Sequence, residues 1–336
     1  MAAKEFYHLA SEDKQIIFAQ IGVKMSIPPA AVEKDWWVVQ TLSLLQNMEV
    51  TPHIVFKGGT SLSKAWKIIQ RFSEDIDLAL DKQFLGVDEC KTIKQVKKLR
   101  SVTRKYINQT FIPELQDKFR IAGYKDVKVE LNEEEGRNLE PVQISVLYNS
   151  CTEESMYTSP VVKLEIGSRS LREPFTKRVF SSLVAEHYPD KPFADTPISF
   201  PSANPERTLL EKLFLLHEEC QKPVEEVRVD RLSRHLYDLE KLMQTEYIGI
   251  ALNNQSLYNE IINHRSIYTK IAAIDYSLHQ PKTLNPVPPK KLIGDWKKDY
   301  KNMQETMIYG ESLPFEKLIE RIIELKKRIN SISWSE

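Results

Sequence analysis

Two periodicities alternate along the first half of the chain. In some segments apolar residues recur every three or four positions, as on a helix face, and in others every second position, as on a strand. This pattern predicts helices over 11–23, 30–47 and 90–119, and strands over 53–56, 75–80, 127–131, 142–148 and 161–166. We expect the last two strands to pair as a hairpin.

From residue 205 onward the pattern is helical. Four prolines make 184–204 resemble irregular chain, so we place a domain boundary there, between domains 1–200 and 201–336. Beyond it the pattern predicts helices over 205–220, 229–243, 293–308 and 315–331. The expected fold class is therefore α+β: a small mixed sheet with flanking helices, followed by an all-α C-terminal domain.

The charge balance narrows the choice of function. The 336 residues include 47 Lys and Arg and 47 Asp and Glu, which argues against a generally basic nucleic-acid binder but leaves room for a local basic groove. The three cysteines are far apart, which excludes a zinc ribbon or a disulfide framework. No apolar stretch approaches the roughly 20 residues that span a bilayer, so we expect a cytoplasmic protein that does not bind membranes.

Two basic clusters stand out locally. One is the run over 91–105, and the other comprises Lys290, Lys291, Lys297 and Lys298. Such a cluster is either a solvated helix face or a surface that follows a nucleic-acid backbone. The sequence leaves both interpretations open for both clusters.

The segment over 53–81 carries the chemistry. A predicted strand runs into Gly58-Gly59-Thr60-Ser61, where a helix begins, and glycines allow backbone amides to approach an anion closely. The chain then returns as a strand with Asp75 and Asp77 on one face. Neighbouring carboxylates repel each other unless a cation lies between them, and oxygen ligands favour Mg²⁺ or Mn²⁺. This combination is typical of metal-assisted phosphoryl transfer.

A simpler interpretation remains for the same residues: a plain turn followed by a solvated strand face. A carboxylate pair of this kind usually needs a third acidic ligand, and our candidate is Glu165. It shares a strand face with Val161 and Lys163, so it is either the third metal ligand or the charge of an edge strand.

The run FKGGTSLSKAW…RFSEDIDLAL resembles the nucleotidyltransferase AbiEii/AbiGii toxin family, within the DNA polymerase β-like nucleotidyltransferase superfamily. Four further blocks are similar to the family: EKDWW at 33–37, ERTLLEKLFLLH at 206–217, RHLYDLEKL at 234–242, and the element formed by Asp299, Tyr300 and Met303. The resemblance thus touches most of the chain. It implies a toxin of a bacterial abortive-infection (phage-defence) or toxin–antitoxin system.

The resemblance also implies individual roles. It assigns catalysis to Ser73, Asp75, Asp77, Lys212 and Asp238, and nucleotide binding to Lys57, Gly58, Gly59, Thr60 and Ser61. Helical spacing adds Arg231 and Arg234, which share a polar face with His235 and Asp238 and suit contacts to a triphosphate. On periodicity alone, an ordinary solvated or interhelical ion pair is the better explanation of Lys212 and Asp238, and the family resemblance reverses that preference.

The implied reaction is transfer of NMP from an NTP to an RNA acceptor, first of all a tRNA 3′ end, with arrest of translation. Asp75, Asp77 and Glu165 would hold two Mg²⁺ ions for this chemistry. A separately encoded antitoxin is implied as well. Two other functions stay open: nucleotidylation of a protein or small molecule, and a non-catalytic binding module that keeps the fold.

Overall fold

The computed structural model describes residues 2–73, 75–132, 141–153 and 159–334. The chain divides into two units. The sheet unit comprises Met1–Trp66 and Phe72–Ala203, and the helical unit comprises Lys67–Arg71 and Asn204–Glu336. A short segment from the first half of the sequence therefore belongs to the helical unit.

One mixed sheet organises the sheet unit. Within the described residues it has seven strands: β1 (Ile54–Lys57), β2 (Asp75–Leu80), β3 (Lys128–Leu131), β4 (Val142–Leu147), β5 (Val161–Gly167), β6 (Phe175–Phe180) and β7 (Ile198–Ala203). Their spatial order is β3-β4-β5-β2-β1-β7-β6. The β2–β5 and β1–β7 pairs are parallel, and the other pairs are antiparallel. The predicted pairing of β4 with β5 is confirmed, although residues 154–158 of their connection lie outside the described residues.

Helices cover one face of this sheet. The helices of the sheet unit are α1 (Ala2–Tyr7), α2 (Ser11–Met25), α3 (Pro29–Leu45), α4 (Gly58–Lys64), α5 (Ile93–Tyr106), α6 (Ile112–Ala122) and α7 (Leu183–His187). Side chains such as Trp36 on α3 and Phe119 on α6 join Ile76, Leu78 and Leu164 of the sheet in one buried core. Because side chains alternate along a strand, the neighbours of these core residues point to the opposite face.

The predicted long helix over 90–119 is continuous but begins later. Thr92 accepts a hydrogen bond from the amide of Gln95, and the Gln95 side chain accepts one from the amide of Thr92, which together form a capping box. This box starts α5 at Ile93. A π-helical turn over Ile107–Phe111 then connects α5 to α6.

The charged triplet at 33–35 is buried and stabilises the fold. Glu33 accepts hydrogen bonds from the Ser150 hydroxyl at 2.7 Å and from the Cys151 amide at 3.0 Å. Asp35 pairs with Lys64 of α4 at 2.7 Å and accepts a hydrogen bond from the Leu183 amide, also at 2.7 Å. The EKD triplet thus links α3 to α4, to α7 and to the loop after β4.

The helical unit is built from α8 (Pro205–Gln221), α9 (Ser233–Met243), α10 (Tyr247–Asn253), α11 (Gln255–Tyr268), α12 (Ile293–Thr306) and α13 (Phe315–Asn330). Fully buried leucines such as Leu209, Leu213 and Leu239 pack between them. The predicted fold class, a mixed sheet with helices followed by an all-α part, is confirmed. None of the helices in the described chain combines the length and apolar character that crossing a bilayer requires.

The interpretation of 184–204 as irregular chain was wrong. The last part of that segment is β7, which pairs in parallel with β1 and antiparallel with β6, a strand that the sequence pattern did not predict either. Prolines obscured β7, because proline cannot donate to a ladder. Pro201 lies opposite Lys177 of β6 and next to Ser202, which pairs with Phe56 of β1.

Candidate active site

Three half-buried carboxylates gather on the face of the sheet opposite the main core. β2 and β5 are parallel neighbours, and their register places Asp77 beside Glu165 and Asp75 beside Lys163. The intervening Ile76 is completely buried in the core on the other face. The predicted face of Asp75 and Asp77 and the proximity of Glu165 are therefore both present. Glu165 is not on an edge strand, because β5 lies between β4 and β2.

The three carboxylates are close enough that their like charges shift the pKa of Glu165. Burial, together with the negative charges of Asp77 and Asp75, raises the pKa of Glu165 to about 7. Protonated Glu165 donates a hydrogen bond to Asp77, and the ammonium of Lys57 partly offsets the repulsion. On its other side, Glu165 accepts a hydrogen bond from the Gln143 side chain at 3.1 Å. The protein thus relieves the repulsion with a proton.

The glycine turn touches this cluster directly. Gly58 follows β1 with a φ of +76°, a backbone conformation that other residues rarely adopt. A Cβ at Gly58 would lie 1.9 Å from a carboxylate oxygen of Asp77. A glycine is therefore required both by the backbone and by the carboxylate that packs against it.

The hydroxyl groups after the turn are placed differently from each other. The Thr60 hydroxyl donates to the backbone carbonyl of Asp75 at 2.5 Å and so fixes the start of β2. The Ser61 hydroxyl is buried and has no hydrogen-bond partner among the described residues. Gly59 is buried in the first turn of α4, and Ser73 is half-buried two residues before Asp75.

The carboxylate cluster fits a divalent cation by its chemistry. In the residues that the structure describes, no three His, Cys, Asp or Glu side chains are already arranged around a common ion position. The donors are nevertheless all oxygens, and their mutual repulsion is relieved by a proton on Glu165, the same task that a cation performs. Asp75, Asp77 and Glu165 are the residues that would hold Mg²⁺ or Mn²⁺.

A second group of candidate residues lies within the helical unit. Arg71 binds both carboxylate oxygens of Asp238, each at 2.8 Å, and Lys212 binds one of them at 2.9 Å. Asp238 is completely buried and Arg71 is 2% exposed. The interhelical pairing of Lys212 on α8 with Asp238 on α9, which periodicity left open, is therefore present, but it is buried and not solvated.

Charge compensation fixes the protonation state of this network. Burial alone would raise the pKa of Asp238, but Arg71 and Lys212 together hold it well below its usual range. Burial lowers the pKa of Lys212, an effect that Asp238 opposes and the neighbouring Arg71 reinforces. Burial and the ammonium of Lys212 also lower the pKa of His235 far below 6.5. Neutral His235 therefore accepts a hydrogen bond from Lys212, with the two nitrogens 3.4 Å apart.

Sequence reasoning missed Arg71. Arg71 begins the run RFSEDID, but its partner Asp238 is 167 residues away in the sequence, so no local pattern could connect the two. The segment that carries Arg71 is held in the helical unit by its backbone as well. The Gln70 carbonyl accepts hydrogen bonds from the amides of Tyr309 and Gly310, and the Gln70 amide donates to the Tyr237 hydroxyl.

The predicted polar face of α9 needs a correction. The helix begins at Ser233 and not at 229, because Arg231 has a φ of +59° and so lies outside it. The Asp299 carboxylate accepts hydrogen bonds from the amides of Arg231 and Ser233 at 2.8 and 2.9 Å, and so caps the start of α9. Arg231 is exposed, whereas Arg234 is half-buried and its charge lowers the pKa values of Lys212 and His235.

Comparisons with known proteins bear on the family and the fold of the chain. A family model described as "Nucleotidyl transferase AbiEii toxin, Type IV TA system" matches residues 42–321. The structure of MenT4, a nucleotidyltransferase toxin from Mycobacterium tuberculosis H37Rv, superposes with a TM-score of 0.54 at 15% identity, covering 95% of this chain and 90% of that one. JHP933 from Helicobacter pylori gives a TM-score of 0.45 at 14% identity, over 90% and 93% of the two chains. No curated protein matches the sequence.

The proton on Glu165 makes the stability of the metal-free protein depend on pH. Because the folded-state pKa lies above that of an unfolded glutamate, the stabilisation is complete below about pH 4 and is lost as the pH rises through about 7. In a chelating buffer we expect the free energy of unfolding to fall by roughly 1–3 kcal/mol between about pH 5 and 8. Glu165→Gln, which keeps a neutral hydrogen-bond donor, should remove this part of the decline in urea titrations.

Glu12→Gln is the matched control, because Glu12 is exposed on α2. It should keep the wild-type pH dependence. An equal pH dependence in Glu165→Gln and in the wild type would contradict the shared proton.

Arg71 should be far more important for stability than an exposed arginine in a similar pair. Arg71→Met removes one partner of a buried carboxylate and should cost about 3–5 kcal/mol in urea denaturation. Arg120→Met is the control, since the Arg120–Asp117 pair is 72% and 62% exposed and should cost less than about 1 kcal/mol. Similar losses for the two variants would contradict the role assigned to Arg71.

Proposed function

The chain belongs to the AbiEii nucleotidyltransferase toxin family, and on that premise we propose that it transfers NMP from an NTP to the 3′ end of a tRNA. Family membership confirms the expected enzyme class, a nucleotidyltransferase toxin of a toxin–antitoxin system. It also implies an NTP substrate and a separate antitoxin. The acceptor, the block of translation in the cytoplasm and a part in phage defence belong to the proposal.

The observation that carries the proposal is the carboxylate cluster of Asp75, Asp77 and Glu165 beside the glycine turn. We propose that the cluster holds two Mg²⁺ ions. Bound Mg²⁺ supplies charge stabilisation for the phosphates and acidifies an acceptor hydroxyl. The three side chains are held for this purpose by the register of β2 and β5 and by Gln143.

The triphosphate is assigned to the glycine turn and the residues around it. Lys57 contributes a cation beside the carboxylates, and Gly58 allows the backbone to pass close to Asp77. Gly59 and Ser61 would bind the triphosphate from the first turn of α4. Thr60 would support this binding indirectly, because its hydroxyl fixes the start of β2. Ser73, two residues before Asp75 in the sequence, completes this set.

We further propose that the helical unit takes part in the reaction through Lys212 and Asp238. Asp238 opposes the lowering of the Lys212 pKa by burial and pairs with the Lys212 side chain at 2.9 Å, which prepares that side chain for contact with a phosphate. Arg231 and Arg234 are assigned to the same anionic substrate.

The transfer itself balances without any further reactant. The acceptor hydroxyl oxygen forms a bond to the α-phosphorus, and the bond from that phosphorus to the bridging oxygen breaks. Pyrophosphate leaves with the electron pair of the broken bond, and the hydroxyl proton passes to solvent.

A labelling assay tests this proposal. The protein is incubated with Mg²⁺, total tRNA and each α-labelled NTP in turn. We expect one NTP to label tRNA, and Asp77→Asn to reduce the rate by roughly 1,000-fold or more, because several kcal/mol of charge stabilisation are lost. Asp117→Asn, on the exposed face of α6, is the control and should retain the wild-type rate.

The outcome also separates the other functions. Labelling of a protein or a small molecule from a lysate, with tRNA unlabelled, would replace the RNA acceptor. Equal labelling by Asp77→Asn and by the wild type would contradict the catalytic assignment. Absence of any NTP-dependent labelling would favour a binding module.

A further inference from the structure

One helix of the sheet unit has an unusual charge composition. α5 carries six cations in 14 residues, IKQVKKLRSVTRKY, and no Asp or Glu. The whole chain, by contrast, has equal numbers of basic and acidic residues. Such a concentration of one sign creates a local field that a neutral chain otherwise lacks.

The lysines on the outer side of α5 are exposed to solvent. Lys94, Lys97, Lys98 and Lys105 are all exposed, and in the described part of the chain none of them forms an ion pair. The opposite side of the helix is fixed by buried Val96 and Leu99 and by the contact between the hydroxyls of Thr103 and Ser168 at 2.5 Å. The lysines therefore form a continuous stripe that cannot rotate inward.

The second basic cluster of the sequence behaves differently. Of its four lysines, Lys297 on α12 pairs with Glu316, and Lys301, a further lysine of that helix, lies 3.7 Å from Glu305. The same helix carries Asp295 and Asp299. α12 thus carries three lysines and three acidic residues, whereas α5 carries no acidic residue. The two clusters that the sequence could not distinguish therefore differ in the charge balance of the helices that carry them.

We propose that the lysine stripe of α5 binds the sugar–phosphate backbone of the RNA acceptor. The inference rests on the RNA acceptor of the proposed function and extends it to a surface outside the carboxylate cluster. From Lys94 to Lys105 the stripe is about 16 Å long.

The composition of the stripe favours a nucleic acid over an acidic protein. Protein interfaces are depleted in lysine and rely on buried aromatic or arginine anchors. None of the exposed residues of α5, a helix that lies entirely within the described chain, is aromatic. Exposed lysines suit contacts with phosphates, which set affinity and carry no sequence information.

Equilibrium binding to labelled tRNA without NTP tests the inference. The triple variant Lys94→Ala, Lys97→Ala, Lys98→Ala keeps helix-forming residues and removes three charges. We expect weaker binding and a slope of log K against log salt that is smaller by about 2–3. Between about 50 and 200 mM salt, the loss of affinity should then be smaller by about 20-fold or more.

The matched control removes the same charge from α12 through Lys297→Ala, Lys298→Ala, Lys301→Ala, and should keep the wild-type slope. An equal change of slope in both variants, or none in the α5 variant, would overturn the inference, as would a lack of tRNA binding by the wild type. So would weaker binding to an acidic protein acceptor with tRNA binding unchanged. Circular dichroism confirms that each variant is folded.

The two assays distinguish failure of the inference about α5 from failure of the proposed nucleotidyl transfer. If the wild type labels tRNA but the α5 variant binds it with an unchanged slope, the inference is wrong and the proposed function stands. If tRNA binds through α5 but is never labelled, the inference stands and the proposed function is wrong.

Discussion

Repulsion among three carboxylates is the constraint on which the sheet unit depends. Asp75, Asp77 and Glu165 are brought together by the parallel register of β2 and β5, and a slip of one residue would turn each side chain towards the core. The buried residues between them, Ile76 and Leu164, prevent that slip. The hydrophobic core thus supplies the energy that holds like charges side by side.

In the helical unit, by contrast, a buried carboxylate is surrounded by positive charges. There a single buried carboxylate, Asp238, is compensated by two cations, Arg71 and Lys212, and the net charge of the group is positive. Arg71 reaches Asp238 because the short segment Lys67–Arg71 belongs to the helical unit, while the carboxylates begin four residues later with Asp75. A cluster of like charges and a completely buried carboxylate are both features that stability alone does not require.

Sequence periodicity predicted the elements that carry strong local signals. The strand before Gly58, the helix after it and the strand of Asp75 and Asp77 were all predicted, because glycine and alternation mark them clearly. The alternation of polar and apolar residues along β5 pointed to Glu165 as a candidate, but no sequence pattern could show that β5 pairs with β2. The sequence pattern missed β7 because its proline was taken as a sign of irregular chain. It missed Arg71 because the partner of Arg71, Asp238, is distant in the sequence. The start of α9 was misplaced because Asp299 caps it from another helix.

The central claim is that Asp75, Asp77 and Glu165 form one divalent-cation site. Calorimetric titration of the metal-free protein with Mn²⁺ and Mg²⁺ tests it most directly. The account predicts saturable binding by the wild type and its loss in the double variant Asp75→Asn, Asp77→Asn. Undiminished binding by a folded double variant would place the cation elsewhere and contradict the account.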